Sequence, residues 1–230
     1  MSSAVLQPPS AEHWLGTDDL GRDWLQRLVQ AFPATLLIAF LCGLLPLCMG
    51  LLLASVSTIG GVWLDRALLK MTDIFLIIPS LLPLMILSAI LEPGLPAVVV
   101  LISAVSWPDD FRVLRAAIRR QQLGDAIFSA RSFGAGRGYL LRHHVWPALV
   151  PLMEVLFIQN ARRAVMLSAG LAFLGLTDPR MSNWGTMLFE AQEHMHLDAF
   201  WWMLPGPLFA MTVLILLLNS THAGPEKSAL

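Results

Sequence analysis

"RSFGAGRGYLLRHHVWP", residues 131–147, packs three arginines, two adjacent histidines and three glycines into a chain otherwise dominated by apolar side chains. Its meaning depends on what flanks it. Of 230 residues, 56% are hydrophobic and 13% charged, with a mean hydropathy of +0.66, whereas soluble domains carry about 25% charged residues. About 20 apolar residues of helix are needed to cross a hydrocarbon core about 30 Å thick. Five stretches approach that length: Pro33 to about Ile59, about Asp73 to Leu91, Leu95 to about Pro108, Val145 to Leu176, and Phe200 to Asn219. The third is short, and the fourth has room for a span plus a re-entrant or interfacial piece. The sequence therefore predicts an all-α integral membrane protein with about five transmembrane helices, whose first partner is the lipid bilayer.

Charge placement sets sidedness, because Lys and Arg near span ends are retained on the cytoplasmic face. Between Pro108 and His144 there are seven arginines (Arg112, Arg115, Arg119, Arg120, Arg131, Arg137, Arg142) against three aspartates, whereas residues 177–199 hold only Arg180 among several acids. The opening segment is thus expected inside, as part of a loop covering about 109–144. Counting spans outward also places the loop with Arg66 and Lys70 and the tail inside, and an N-terminal segment of residues 1–32 outside. The expected domains are that segment, a membrane domain over 33–219 and a tail over 220–230. The N-terminus has no basic stretch followed by an apolar core, so no span is read as a signal peptide. The net charge of −1 argues against a nucleic-acid partner. Cys42 and Cys48 lie inside an apolar stretch and read as small buried residues.

Within the basic loop, Gly124 and Asp125 precede AIFSARSF, and Gly134 follows. Asp is a helix N-cap residue and Gly suits the position after a helix end, so a short helix is expected. It would gather Ala126, Ile127, Ala130 and Phe133 on one side. Two readings fit: a helix built to lie against another surface, with Arg131 available for an acidic rim, or a solvated basic loop that only fixes topology.

Three motifs in order carry a resemblance. Ser129-Ala130-Arg131-Ser132-Phe133-Gly134, followed ten residues on by His144-Val145-Trp146-Pro147, resembles the cytoplasmic coupling loop of ABC importer permeases. "HWLGTDDLGRDWLQRL" (His13 to Leu28) is similar to the extracytoplasmic segment of the dipeptide, oligopeptide and nickel permeases, and "GLAFLGLTDPRMSNWGTML" (Gly170 to Leu188) to their FLGL…WG segment. The resemblance implies a multi-pass subunit of the bacterial inner membrane moving small peptides or nickel or metal chelates. It further implies a second homologous permease, two ABC ATPase subunits holding ATP and Mg, and an extracytoplasmic substrate-binding protein. Asp125, Phe128, Ser129, Ala130, Arg131, Phe133, Gly134, His144 and Pro147 are the residues it assigns to ATPase coupling.

The chain also departs from that pattern. Family members have six spans, one of them ahead of the LGTD segment, so an N-terminally short chain is expected. Phe128 stands where the family has a glutamate, and the chain closes on NSTHAGPEKSAL instead of a short charged run. Arg162-Arg163 stand where small or apolar residues are usual, and with Glu154 and Gln159-Asn160 they make part of that span's surface polar. Charges at bilayer depth face a water-filled path or a partner, or snorkel to an interface; Arg162 and Arg163 are accordingly expected either to line the translocation path or to sit near the outer boundary.

The outer motifs have a plainer reading. Leu15-Gly16-Thr17-Asp18 and Gly21-Arg22-Asp23 suit a cap and turn before the first span, and Phe173-Leu174-Gly175-Leu176 and Trp184-Gly185 suit packing and an interfacial anchor. His194 and His196 do not share a helix face, so a surface loop is expected there in place of a metal site. Prolines recur within spans (Pro46, Pro79, Pro83, Pro151, Pro205, Pro207) and are expected to bend them. No G-x-x-x-x-G-K-[ST] loop or H-E-x-x-H arrangement occurs in the sequence, so a transport subunit energised by another protein is expected, with no cofactor of its own. The alternatives are a carrier or channel that needs no ATPase, and an inactive truncated remnant.

Overall fold

Backbone N–H and C=O groups in hydrocarbon have no water to bond to, so an apolar chain satisfies them within helices. The computed structural model describes residues 5–220; the side chains of Asp125, Ala126, Arg131 and Arg137 lie outside the described residues, as do residues 221–230 of the expected tail. In order, the helices are α1 (Trp24–Ile59), α2 (Val62–Ile77), α3 (Leu81–Leu91), α4 (Leu95–Gln121), α5 (Asp125–Ser132), α6 (Arg137–Leu140), a π-helical turn (Leu141–Val145), α7 (Trp146–Phe173), α8 (Trp184–Glu193), α9 (Phe200–Met203) and α10 (Pro205–Ser220). Among the described residues the only extended pairing is one isolated bridge, Thr17 to Asp23. The fold is all-α.

The apolar stretches and the helices differ in instructive ways. α1 begins well before Pro33, extending to Trp24. The expected second span is a pair, α2 and α3, bent by 74°. Pro79 is the cause: the residue before a proline is pushed out of the helical region, and Ile78 sits at φ −87°, ψ 121°. The third span does not stop at Pro108 but runs on to Gln121. Phe111, Leu114 and Ile118 recur at helical spacing and are fully buried, and that face outweighs the hydrogen bond forfeited at Pro108. The fourth stretch is one helix of 28 residues, with no re-entrant piece among its helical residues. Residues 200–220 form the fifth span, as expected. By length and apolar content, α1 and 200–220 each suffice to cross a membrane among the described residues, and the bent α2–α3 pair is a third. α4 and α7 are as long, but carry Asp109, Asp110, Arg112 and Arg115, and Glu154, Arg162 and Arg163.

Two compact units divide the chain. The first takes residues up to Leu41, Met85–Val100 and everything from Ala161 on. Its core holds Trp24, Ala31, Val165, Trp184, Met187 and Met203. Both tryptophans are buried with their indole N–H satisfied: Trp24 Nε1 donates to the Met203 carbonyl and Trp184 Nε1 to the Leu28 carbonyl, each at 2.9 Å. Trp184 is therefore a core residue, which agrees with the packing expected of it and not with an interfacial anchor. Asn183 and Thr186 form a reciprocal capping box at the start of α8. Gly185 lets that turn approach α7, since a Cβ there would lie 2.7 Å from Ala169 Cα.

The LGTD…GRD segment folds into a cap on this unit. Asp18 is fully buried and accepts from the Leu20 and Arg22 amides (2.9 and 2.8 Å), from Arg22 Nε (2.7 Å) and from Arg27 Nη1 (2.9 Å). Arg27 also grips Glu190 of α8 through both terminal nitrogens and lies over the Trp24 ring. His13 Nδ1 meets Asp23 Oδ2 at 2.8 Å, and this bond together with the Gln26 amide holds the Asp23 carboxyl below its ordinary range. The cap-and-turn reading accounts for the bonds to the Leu20, Arg22 and Gln26 amides, while the Arg27 contacts with Glu190 and Trp24 go beyond it.

The second unit takes Cys42–Leu84 and Leu101–Asn160. Its core runs through Leu47, Ala54, Phe111, Leu114, Ile118, Leu149 and Leu156. α2 and α4 are tied side to side by charge. Asp65, buried on α2, accepts from Arg115 through Nε (2.5 Å) and Nη2 (2.6 Å), from Arg119 Nη2 (2.5 Å) and from Ser57 Oγ of α1 (2.5 Å). Farther along the same pair, Asp73 bonds Arg112. Asp110 of α4, also buried, accepts from Asn160 Nδ2 of α7 at 2.6 Å.

Two substitutions test these assignments. Gly185→Ala forces the α8 turn away from Ala169 and is expected to cost roughly 1–3 kcal/mol, read as a lower melting temperature of the purified protein in detergent. Asp65→Asn strips Arg115 of its counter-charge. Removing one partner of a buried pair costs roughly 3–5 kcal/mol, and the lower end is expected because the Arg119 side chain is 51% exposed. An unchanged melting temperature would contradict the clamp.

Candidate functional site

The basic loop that opened the sequence analysis belongs to the second unit, and its residues sort into a buried set and an exposed set. After α4 ends at Gln121, the Gly124 carbonyl receives the amides of Ile127 (3.0 Å) and Phe128 (3.1 Å). Gly124 thus occupies the cap position, and Asp125 is the first helical residue of α5, not the N-cap expected. The end is as expected: the Ala135 amide reaches back to the Ala130 carbonyl (3.1 Å), and Gly134 takes φ +85°, the left-handed conformation that suits glycine after a helix.

Ile127 anchors α5. It is 4% exposed and joins the core cluster of Ile118, Leu140, Leu141 and Val145, with Ala130 and Ala135 partly buried against it. Phe133 does not share that side. The helix stops at Ser132 and the chain turns at Gly134, which carries Phe133 off the stripe and leaves it 91% exposed. Phe128, on the outward side of α5, is 74% exposed, and Ser129 and Ser132 are exposed beside it. The side chains of Asp125 and Arg131, both assigned to coupling, lie outside the described residues. Leu123, just before α5, is 87% exposed. The result is a short helix nailed down by one isoleucine and presenting two phenylalanines outward.

The return strand of the loop is fixed from below. Leu140, Leu141 and Val145 are buried, and residues 141–145 form the π-helical turn, a feature frequent at functional sites. His143 stacks on Tyr139 with ring centroids 4.3 Å apart, and its Nδ1–H donates to the Tyr139 carbonyl. His144 is half-buried, with its ring 6.2 Å from the same tyrosine. Trp146 Nε1 donates to Ser55 Oγ of α1 at 3.1 Å. Pro147, exposed, lies just past the π-helical turn, so its missing N–H removes one donor from a continuous helical run. An open cavity of about 750 Å³ is lined by Ser57, Asp65, Arg119, Leu123, Leu141 and Val145, among others.

Arg162 and Arg163 belong to the first unit and are half-buried on α7. Arg162 Nη1 donates to Asn219 Oδ1 near the end of α10. His194 Nδ1–H donates to the Glu190 carbonyl (2.8 Å), and no cluster of three metal-ligating side chains exists among the described residues. Sequence reasoning missed Asp65. The available signal was an aspartate in an apolar helix, matched by an arginine pair four residues apart on α4. Chemically, the loop offers an apolar aromatic surface on a braced support, the equipment for binding another protein.

Residues 47–221 match the family described as "Binding-protein-dependent transport system inner membrane component". A putative peptide permease protein of Brucella suis biovar 1 is 33% identical over 92% of this chain and 71% of its own length. The dipeptide transport system permease protein DppC of Alkalihalophilus pseudofirmus is 32% identical over 95% and 72%, and the nickel transport system permease protein NikC of Escherichia coli K12 is 30% identical over 91% and 76%. The fold is shared with a chain of the MetNI methionine ABC transporter in an inward-facing conformation, with a TM-score of 0.67 at 19% identity, covering 86% of this chain and 93% of that one. An all-helical fold, a family match over residues 47–221 that takes in the coupling-loop and FLGL…WG motifs, and a relative 33% identical over 92% of the chain make it a member of the binding-protein-dependent transport system inner membrane components, the membrane subunits of ABC importers.

Proposed function

We propose that this chain is one of two homologous permease subunits enclosing a translocation path in a bacterial inner membrane, driven from the cytoplasmic side by two ATPase subunits that grip α5. The observation that carries the reading is the exposed pair Phe128 and Phe133 on a helix whose inner side is locked to the core by Ile127. Large exposed apolar side chains on a polar loop mark a docking surface. With Phe128 where the family resemblance implies a glutamate, the grip is more apolar than ionic. ATP and Mg are held by the partner subunits, since this sequence has no phosphate-binding loop. The cargo proposed is a small peptide or a nickel or metal chelate, delivered by an extracytoplasmic binding protein. Closure of the ATPase pair moves α5 as a rigid body, and α4, α2 and α7 follow because side-chain bonds join them to the same support. Arg162 serves as a brace between α7 and α10. A carrier working without an ATPase has no use for such a helix, and the intact helix and its packing speak against a decayed remnant.

The direct test is transport by the assembled importer in proteoliposomes. Phe128→Asp combined with Phe133→Asp is expected to lower ATP-dependent uptake of dialanine or Ni²⁺ at least tenfold and to weaken co-purification of the ATPase. The melting temperature of the permease should be unchanged, because both side chains are solvent-exposed. Wild-type uptake and co-purification in the double variant would contradict the proposal.

A further inference from the structure

Glu154 is the one charged side chain in the apolar stretch of α7 from Trp146 to Ile158, and its depth is fixed by its neighbours. One turn beyond it, Phe157 packs against Gly43 of α1; two turns before it, Trp146 bonds Ser55 of α1. Glu154 therefore lies level with α1 residues between 43 and 55. The stretch from Leu28 to Leu64 contains no Asp, Glu, Lys or Arg, so this level is apolar. Yet Glu154 is exposed, and it makes no hydrogen bond or ion pair among the described residues. The carboxylates of α2 and α4 are all engaged, among them Asp110 by Asn160, Asp73 by Arg112 and Asp65 by two arginines.

A second observation concerns the same face. Pro147, Val150 and Pro151 are exposed and flank Glu154 at helical spacing. Pro151 has no N–H, so the Pro147 carbonyl lacks the donor an α-helix would supply. That leaves an acceptor without its α-helical donor and an unpaired carboxylate on one face, and neither is stable against lipid. Water satisfies both.

We propose that this face of α7 lines the water-filled translocation path, and that Glu154 contacts the positively charged group of the cargo, an ammonium or a metal cation, as it passes. The inference rests on the permease reading above and adds a residue and a charge preference to it. A carboxylate at this position attracts cations and repels anions, and the absence of a fixed partner keeps the contact transient, as a path requires.

The experiment uses the assembled importer in proteoliposomes with Cys42→Ala and Cys48→Ala, so that a Glu154→Cys thiol is the only one on this subunit. A membrane-impermeant, trimethylammonium-bearing methanethiosulfonate should modify it at least tenfold faster than a thiol placed at the exposed apolar position Phe40, with a rate that changes under ATP turnover. Glu154→Gln should cut uptake of dialanine and of Ni²⁺ about tenfold while the complex assembles and still hydrolyses ATP; Glu154→Asp should restore most of it. Failure of the thiol to react, or full uptake by Glu154→Gln, would overturn the proposal. So would loss of assembly in Glu154→Gln, which would reveal an ion pair with the second permease. If the wild-type importer shows no ATP-dependent uptake at all, the permease reading fails instead.

Discussion

The carboxylate of Asp65 gathers Ser57 from the end of α1 and Arg115 and Arg119 from α4 around one buried point. Burying a charge is costly unless its hydrogen-bonding capacity is filled, and here every donor comes from a different turn or a different helix. That fixes the spacing of three helices at the base on which α5 sits. Ile118, one residue from Arg119, is part of the cluster that receives Ile127. The docking of α5 is therefore inherited from a charge clamp at its base, and a force applied to its phenylalanines has a stiff route into α2 and α4.

A second clamp of the same kind organises the first unit. Arg27 joins Asp18 of the N-terminal cap to Glu190 of α8, with Trp24 beneath it. In both units a buried aspartate meets arginines inside an otherwise apolar protein, and each joins segments distant in sequence. This arrangement suits a protein that must move without coming apart, because apolar helix faces in lipid have little hydrophobic preference for one another over the bilayer, whereas a satisfied ion pair has a unique partner.

Much of this was legible in the residues. Helical content and the position of the short helix follow from apolar runs and the Gly124/Gly134 punctuation, because these are local properties. The failures share one cause. The apolar runs mark span ends at Pro33 and about Pro108, whereas α1 reaches back to Trp24 and Phe111, Leu114 and Ile118 carry α4 onward through tertiary burial. Phe133 was placed with Ile127 by periodicity, and a helix ending at Ser132 removed it. Residue type alone suggests an interfacial anchor for Trp184 beside a packing role, and only the packing holds, its indole N–H consumed by the Leu28 carbonyl. The partners of Asp65 were out of reach, since pairing across 50 residues is invisible to spacing rules.

The central claim is that a separate ATP-hydrolysing protein holds the outward face of α5. It is tested most directly by placing a single cysteine at position 129 or 132, both exposed on α5, and cross-linking membranes that contain the complete importer. The account predicts a cross-link to the ATPase subunit, with a yield that changes when ATP is added. A cross-link that never forms, or a thiol modified by an impermeant reagent only from the outer side of the membrane, would contradict it.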